Sequence, residues 1–288
     1  MNNFFETLFL GGFDGLHIGH QLLFQNAEYP MGVIMMIEIP RKKQFIFPVD
    51  ERINQIKHFY KPNDIIVYNV TQNNVTGEQF LKNSLLNKRI NKIIVGSNFT
   101  FGSDRLSAIK LLPACKELKI IPVKKNVSSS KIKKYLSTGK LEIANNFLAS
   151  CFCYEGNVVH GQHMSSKFNC PTANFLIPET SIKLFSGSYI SVTKLQDSFY
   201  KSVTFVGQSK TFPNEKWSVQ THLLGTRSIN LYGQEIKTYF IKFIRQNEKF
   251  KLIQDLKKSI IADVRIAKSF FAKNSLDENL ARWKVFNL

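Results

Sequence analysis

Along the first half of the chain, short unbroken apolar runs alternate with longer stretches in which apolar residues return every third or fourth position. The runs Leu8 to Leu10, Val33 to Ile37, Ile65 to Val70, Ile93 to Gly96 and Lys119 to Val123 predict strands. The stretches Gln21 to Asn26, Glu51 to Phe59, Gly77 to Leu86 and Leu106 to Glu117 predict helices. Strands apolar on both sides need cover on both faces, so this rhythm is that of a parallel sheet flanked by helices. Such a sheet binds ligands at the carboxyl ends of its strands.

Near residue 150 the rhythm changes, and helical patterns stop until Glu248. Tyr189 to Val192, Tyr200 to Val206, Trp217 to Leu224 and Ile236 to Phe243 are β-branched and aromatic, with turn signals between them. They predict a small antiparallel barrel. A last amphipathic helix is expected from Lys251 to Phe271, with Leu252, Leu256, Ile260, Val264 and Ala267 on one stripe. The expected fold class is α/β, a Rossmann-like domain over residues 1–150 followed by a β-barrel with a C-terminal helix over residues 151–288.

Composition adds little to this picture. A hydrophobic content of 43% over 288 residues suits two globular domains. Of the four cysteines only Cys151 and Cys153 lie close together, which suits small buried thiols better than a metal site. No run approaches the roughly 20 apolar residues of a bilayer span, and no targeting segment is evident, so a cytoplasmic protein is expected. The formal charge of +18 raises nucleic acid as a partner, but the basic residues are spread along the whole chain rather than gathered in a stripe. Small polyanions such as ATP fit that distribution better.

The segment Leu10 to His20, LGGFDGLHIGH, leaves the first strand through glycines and enters a helix at Gln21. Gly11, Gly12 and Gly15 let backbone amides approach a phosphate, and a helix start favours anions. His17 and His20, three residues apart, share one helical face. Two imidazoles there can donate hydrogen bonds to an α-phosphate as charge builds on it, with no covalent intermediate. Alone, HIGH points to adenylyl transfer without naming the acceptor.

In order along the chain follow IIVGSNFTFG (Ile93 to Gly102), VSSSKIKKYLSTGKLEIANNFL (Val127 to Leu148), YEGNVVHG (Tyr154 to Gly161), Pro171-Thr172-Ala173-Asn174, THLLGTRSINLYG (Thr221 to Gly233) and IRQNEKF (Ile244 to Phe250). With these motifs the chain resembles, over nearly its whole length, the bacterial bifunctional riboflavin kinase/FMN adenylyltransferases, or FAD synthetases. The resemblance implies ATP, FMN and riboflavin as substrates and Mg²⁺ as cofactor, with small molecules as the only expected partners. In the adenylyltransferase module it implies that His17 and His20 contact the ATP phosphates. Ser128, Ser129 and Lys131 or Lys133 would hold the departing pyrophosphate, with Lys131 catalytic. It further assigns Gly11, Gly12, Phe13, Asp14, Gly15 and Gly161 to ATP, Asn98, Phe99 and Arg245 to the flavin, and Thr172 and Asn174 to Mg²⁺ in the kinase module.

The departures fall unevenly. Asn98 stands where the family has Asp, and the family's DPHP element is replaced by Ile37-Glu38-Ile39-Pro40. The kinase module changes more: Gln220 occupies the place of the glutamate base two residues before His222, and the loop before Pro171 lacks its glycines. An amide is no general base near neutral pH. Three readings follow: a bifunctional enzyme, an adenylyltransferase with a degenerate kinase barrel, and a non-catalytic flavin- or nucleic-acid-binding scaffold. Intact His17 and His20 argue against the third.

Overall fold

The apolar run Phe4–Gly11 forms strand β1, and every later parallel strand is organised about it. The structure, a computed structural model, describes residues 4–40, 42–122, 126–159, 172–211, 217–225 and 231–286. The chain divides into two compact units, residues 1–131 and 132–287.

In the first unit β1 is followed by α1 (Ile18–Phe24), β2 (Met31–Ile37), α2 (Val49–Tyr60), β3 (Asp64–Asn69), the single turn α3 (Gly77–Phe80), β4 (Arg89–Gly96), a hairpin of β5 (Thr100–Phe101) and β6 (Leu106–Ser107), and β7 (Glu117–Ile121). The sheet order is β3-β2-β1-β4-β7, with every neighbour pair parallel. Both faces are buried, as continuous apolar strands require. Leu8, Leu10, Ile34, Met36, Ile93 and Val95 join a core with Phe80, Leu85, Phe101 and Leu111. The intervening Phe9, Val33, Met35 and Ile94 are equally buried, and Phe24 of α1 packs on Phe9 with ring centroids 4.5 Å apart. The chain steps from β1 out to β3 and then crosses back to β4 on the other side of β1. The crevice at the carboxyl ends of β1 and β4 is therefore the switch point at which such sheets bind ligands.

The helix expected over Leu106 to Glu117 is not formed. Its residues make β6, a 3₁₀ segment at Ala108–Ala114 and the start of β7. Pro113 lies inside that segment, where it lacks the N–H and crowds the carbonyl that an α-helix would need. The pattern over Gly77 to Leu86 is realised as α3 followed by a π-helical turn, Leu81–Leu85. Its start is fixed by Thr76, whose hydroxyl accepts from the Gln79 amide while the Gln79 side chain accepts from the Thr76 amide.

Helix α4 (Ser129–Ser137) spans the division between the units, ahead of the break at residue 150 that the change of rhythm suggests. The reason is packing. Ile132 and Leu136, with Leu141 and Ala144 of α5 (Leu141–Phe147), are fully buried in the second unit. There Asn145 Nδ2 donates to the Phe240 carbonyl and Asn145 Oδ1 accepts from the Phe152 amide, each at 2.9 Å.

The second unit is a closed antiparallel barrel of β8 (Cys153–Val159), β9 (Ala173–Phe175), β10 (Gly187–Leu195), β11 (Ser198–Gly207), β12 (Ser218–Leu223) and β13 (Glu235–Gln246), in the order β10-β11-β12-β9-β8-β13. Its interior holds a ring of hydroxyls. Ser191 bonds Ser202 and Thr204 at 2.7 Å, Thr204 bonds Thr221 at 2.9 Å, and Thr193 bonds Ser202 at 2.9 Å and Thr238 at 3.3 Å. The ring closes between Thr221 and Thr238 at 3.5 Å, across the lumen between strands that are not neighbours. All six residues are buried, so each hydroxyl satisfies its neighbour. Of the predicted stripe, helix α6 (Ile253–Lys273) buries only Ala267 fully; Leu256, Ile260 and Val264 are half-buried, Leu252 lies before the helix and is exposed, and Phe271 and the charged Asp263 are buried instead. The short α7 (Leu276–Asn279) follows. Among the described residues no helix is long and apolar enough to cross a membrane.

Candidate active site

The loop after β1 turns sharply at the switch point. Gly15 takes φ +88°, a conformation that side chains rarely adopt, while Phe13 and Leu16 are held at φ 44° and 37°. The Phe13 side chain points into the protein, packing under Gly11 and 5.3 Å from Phe24 between ring centroids. Only its backbone is left to meet a ligand.

His17 is the N-cap of α1, with extended backbone, and not a helical residue as the i, i+3 argument assumed. The two imidazoles nevertheless come together: His17 and His20 stack with centroids 3.8 Å apart and planes 13° from parallel. Gly19 permits this, because a β-carbon there would lie 3.1 Å from the His17 ring. Burial depresses the His17 pKa from 6.5 to about 4 and pushes His20 well down, with His17, Lys42 and Arg52 adding to the effect at His20. Both rings are thus neutral near pH 7. That suits the stacking, since two unit charges at this distance repel by about 4 kcal/mol at an effective dielectric of ~20. The Nδ1 of His20 is shielded without a partner among the described residues.

Asp14, expected to bind ATP, faces inward. Its Oδ1 accepts from the amides of Ile46 at 2.8 Å and Phe47 at 3.4 Å, and its Oδ2 pairs with Lys42 Nζ at 3.1 Å. A carboxylate would repel a phosphate; here it anchors the segment before α2 to the loop. The Asp14 carbonyl accepts from Ser129 Oγ at 2.9 Å, which joins the loop to the start of α4 across 115 residues of sequence. Ser128 caps that helix, its Oγ accepting from the Lys131 amide at 3.3 Å. The glycine loop with its histidines and the start of α4 with Ser128 and Ser129 therefore lie together. Lys133 follows on α4 within the second unit. Asn98 is exposed just past the carboxyl end of β4, and the half-buried Phe99 stacks with Phe101 at 6.2 Å.

Sequence reasoning missed the residues behind the loop. Lys42 and Arg52 lie on the Phe45 ring, at 5.1 and 5.0 Å from its centroid, and Arg52 Nη1 donates to the Gly12 carbonyl at 2.7 Å. Glu51 and Gln55 are buried beside it on α2. One signal was available: Arg52 stands four residues before Ile56 and eight before Tyr60, on the stripe that the helical pattern assigns to the core.

In the barrel, Gln220 of β12 pairs directly with Asn174 of β9, so their side chains share the outer face while the next residue, Thr221, points into the hydroxyl ring. Asn174 Nδ2 lies 3.5 Å from the Thr172 carbonyl, and Gln220 Nε2 donates to Ser218 Oγ at 3.3 Å. Asn174 and Gln220 are thus cross-strand neighbours, with Thr172 just ahead of β9. Arg245, expected at the flavin, is engaged elsewhere: its Nε and Nη2 grip Asp263 of α6 at 2.8 to 3.1 Å, and Ser188 Oγ donates to the same carboxylate at 2.8 Å. Gly161 lies outside the described residues.

Comparison with known proteins matches both halves of the chain. A family model described as FAD synthetase matches residues 5–137, and one described as riboflavin kinase matches residues 148–271. The bifunctional riboflavin kinase/FMN adenylyltransferase of Mycoplasma pneumoniae is 31% identical over 274 residues, covering 94% of this chain and 99% of that protein. Its counterpart from Bacillus subtilis is 26% identical and covers 93% of each chain. The chain also matches a longer relative, the trifunctional protein RibF/MnmA of Mycoplasmoides gallisepticum, at 31% identity, spanning 40% of that protein's length. A solved structure described as a macrolide-efflux protein from Streptococcus pneumoniae shares the fold over 93% of this chain, with a TM-score of 0.80 at 23% identity. With both halves matched in order and over nearly full length, the chain belongs to the bifunctional riboflavin kinase/FMN adenylyltransferase family.

Proposed function

We infer that the first unit makes FAD by transferring the adenylyl group of ATP to FMN, and that the barrel makes FMN by phosphorylating riboflavin. The observation that carries the first activity is the Ser129 to Asp14 hydrogen bond, which brings the start of α4 to the loop bearing the stacked histidines. An FMN phosphate oxygen attacks the α-phosphorus, and the bond to the bridging oxygen breaks to release pyrophosphate. His17 and His20, as neutral donors, offer N–H groups to the α-phosphate oxygens as charge gathers there. Ser128 and Lys131, at the helix start, face the departing pyrophosphate.

In the barrel, Gln220 orients the riboflavin hydroxyl toward the γ-phosphate of ATP. The threonine hydroxyl at 172 and the side-chain oxygen at 174, two residues apart in the chain, are the hard donors that Mg²⁺ prefers and would hold it. When bound, Mg²⁺ supplies charge neutralisation for the phosphates. A barrel that has merely lost its activity is not favoured, because the kinase family model and full-length bifunctional relatives match this half. Gln220 then implies a slow kinase rather than none, since phosphoryl transfer through a loose transition state leans on positioning more than on a base. The cytoplasm, with ATP at hand and thiols reduced, is where we place both reactions.

Incubating purified protein with Mg·ATP and either FMN or riboflavin, and resolving the flavins by chromatography, tests both activities. His20→Ala should lower FAD formation from FMN about 10²- to 10³-fold with the fold retained. A folded His20→Ala protein that makes FAD at the parent rate overturns the assignment of the site.

A further inference from the structure

Arg52 is among the largest fully buried side chains of the described residues, 1% exposed, and nothing in the reaction above uses it. A guanidinium so placed is costly unless its charge and donors are answered. Here they are answered only in part. Nη1 donates to the Gly12 carbonyl at 2.7 Å, the Phe45 ring covers one side at 5.0 Å, and Nε is shielded without a partner. Asp14, whose charge favours the cation, is itself tied to Lys42 and the Ile46 amide.

The hydrogen bond to Gly12 has a geometric consequence. In a trans peptide the C=O and the following N–H point in opposite directions. With the Gly12 carbonyl drawn inward to α2, the Phe13 N–H points out of the loop, and it has no acceptor among the described residues. Without Arg52 this peptide is free to turn over, placing a carbonyl where a phosphate must sit.

We propose that Arg52 is a positioning residue for adenylyl transfer: from behind the loop it holds the Gly12–Phe13 peptide so that the Phe13 amide faces the nucleotide phosphates. Its charge has a second effect, on His20. The charged and titratable groups acting on that ring are His17 stacked on it, Lys42 from the segment before α2, and Arg52 from α2. Removing one of the two cations makes protonation of His20 easier, so it ceases to be a neutral donor at a higher pH. The inference rests on the loop being the adenylyl-transfer site.

The test compares Arg52→Met and Arg52→Lys with the parent, using FAD formation from FMN and Mg·ATP across pH. Arg52→Met should lose about 10² in kcat, the typical effect of one misplaced donor at such a site, with a smaller rise in KM for ATP. Its acid limb should move to higher pH. Arg52→Lys keeps a charge and one donor, and should recover the acid limb and part of kcat. Parent kcat in Arg52→Met overturns the proposal, as do equal losses in both variants with the acid limb unmoved, or failure of both to fold. Should Arg52→Met alone fail to fold, the Phe13 amide of the parent decides, followed by ¹H–¹⁵N NMR as Mg·ATP is added. A downfield shift on binding supports the proposal, and an unmoved resonance overturns it. His20→Ala run in parallel separates the two levels: an inactive His20→Ala beside parent-like Arg52 variants sinks only this inference, whereas a parent-like His20→Ala sinks the site itself.

Discussion

Acidification from pH 7 to pH 4, of the parent and of His17→Asn, probes the stacked histidines. In the folded protein His17 resists protonation until about pH 4, because burial disfavours the charged ring, whereas the unfolded chain takes that proton near pH 6.5. Above pH 6.5 both states hold a neutral imidazole, and the difference has no effect on stability. Between pH 6.5 and about 4 the unfolded state binds more protons, so stability falls as pH falls. At roughly 1.4 kcal/mol per pH unit, the full loss below that window is about 3 kcal/mol from His17, with His20 acting in the same direction. That is a sizeable share of the 5–15 kcal/mol that typically holds a domain together. Both tryptophans, Trp217 and Trp283, belong to the second unit, so indole fluorescence does not report on this one. Urea unfolding followed through the methyl signals of Leu8, Ile93 and Val95 does. The parent should lose about 3 kcal/mol relative to His17→Asn between pH 7 and pH 4. Parallel losses in the two proteins, or a His17 ring proton titrating near pH 6.5, would refute the reasoning.

Two further predictions concern the barrel. Gln220→Glu restores a carboxylate beside Asn174 and should raise conversion of riboflavin to FMN by about 10²-fold or more, leaving FAD formation from supplied FMN unchanged; an unaltered kinase rate removes Gln220 from the base position. Thr221→Val keeps the shape but leaves Thr204 and Thr238 each short of a partner in the hydroxyl ring, and should destabilise the second unit by about 1–3 kcal/mol, read from tryptophan fluorescence in urea; an unmoved midpoint denies the ring any structural part.

The fold was legible wherever burial imposed a simple period. Five apolar runs became the five parallel strands, and four aromatic and β-branched segments became β10 to β13, within a few residues at their ends. Failures came where a local chemical rule competed with the period. Leu106 to Glu117 carries a helical pattern, but Pro113 cannot serve as an interior helical residue. Strands β8 and β9 were read as motifs rather than strands; β9 has only three residues, and a strand so short shows no alternation. The hydroxyl ring was invisible for a related reason. Nothing in the pattern of Ser191, Thr193, Ser202, Thr204, Thr221 and Thr238 says which way they face, and only closure of the barrel turns them inward to satisfy one another.

At the candidate site the sequence singled out the glycine loop and its histidines but not the residues packed behind them. His17 and His20 were found because a glycine turn after a first strand is a strong local signal. Lys42, Phe45 and Arg52 lack any such signal, since their arrangement depends on α2 returning beneath the loop. Asp14 was misplaced by the same blindness: within the motif it reads as a phosphate-site residue, and only the amides of Ile46 and Phe47 show which way its carboxylate turns.

The two reactions make unequal demands on such sites, and this explains why the departures can fall where they do. The nucleophile of the first unit is a phosphate monoester, with a second pKa near 6, so at neutral pH it is already largely an anion with no proton to lose. Its site needs donors and cations that are in place beforehand, and neutral stacked imidazoles backed by Lys42 and Arg52 are such a set. The nucleophile of the barrel is an alcohol, which must shed a proton during the reaction. If Gln220 stands at the base position, as the resemblance implies, its amide burdens only the second activity. In a chain that carries out both steps, production of FMN and not its adenylylation then limits the flow from riboflavin to FAD. Supplying FMN directly should bypass that limit, so FAD should form faster from FMN than from riboflavin at equal concentration.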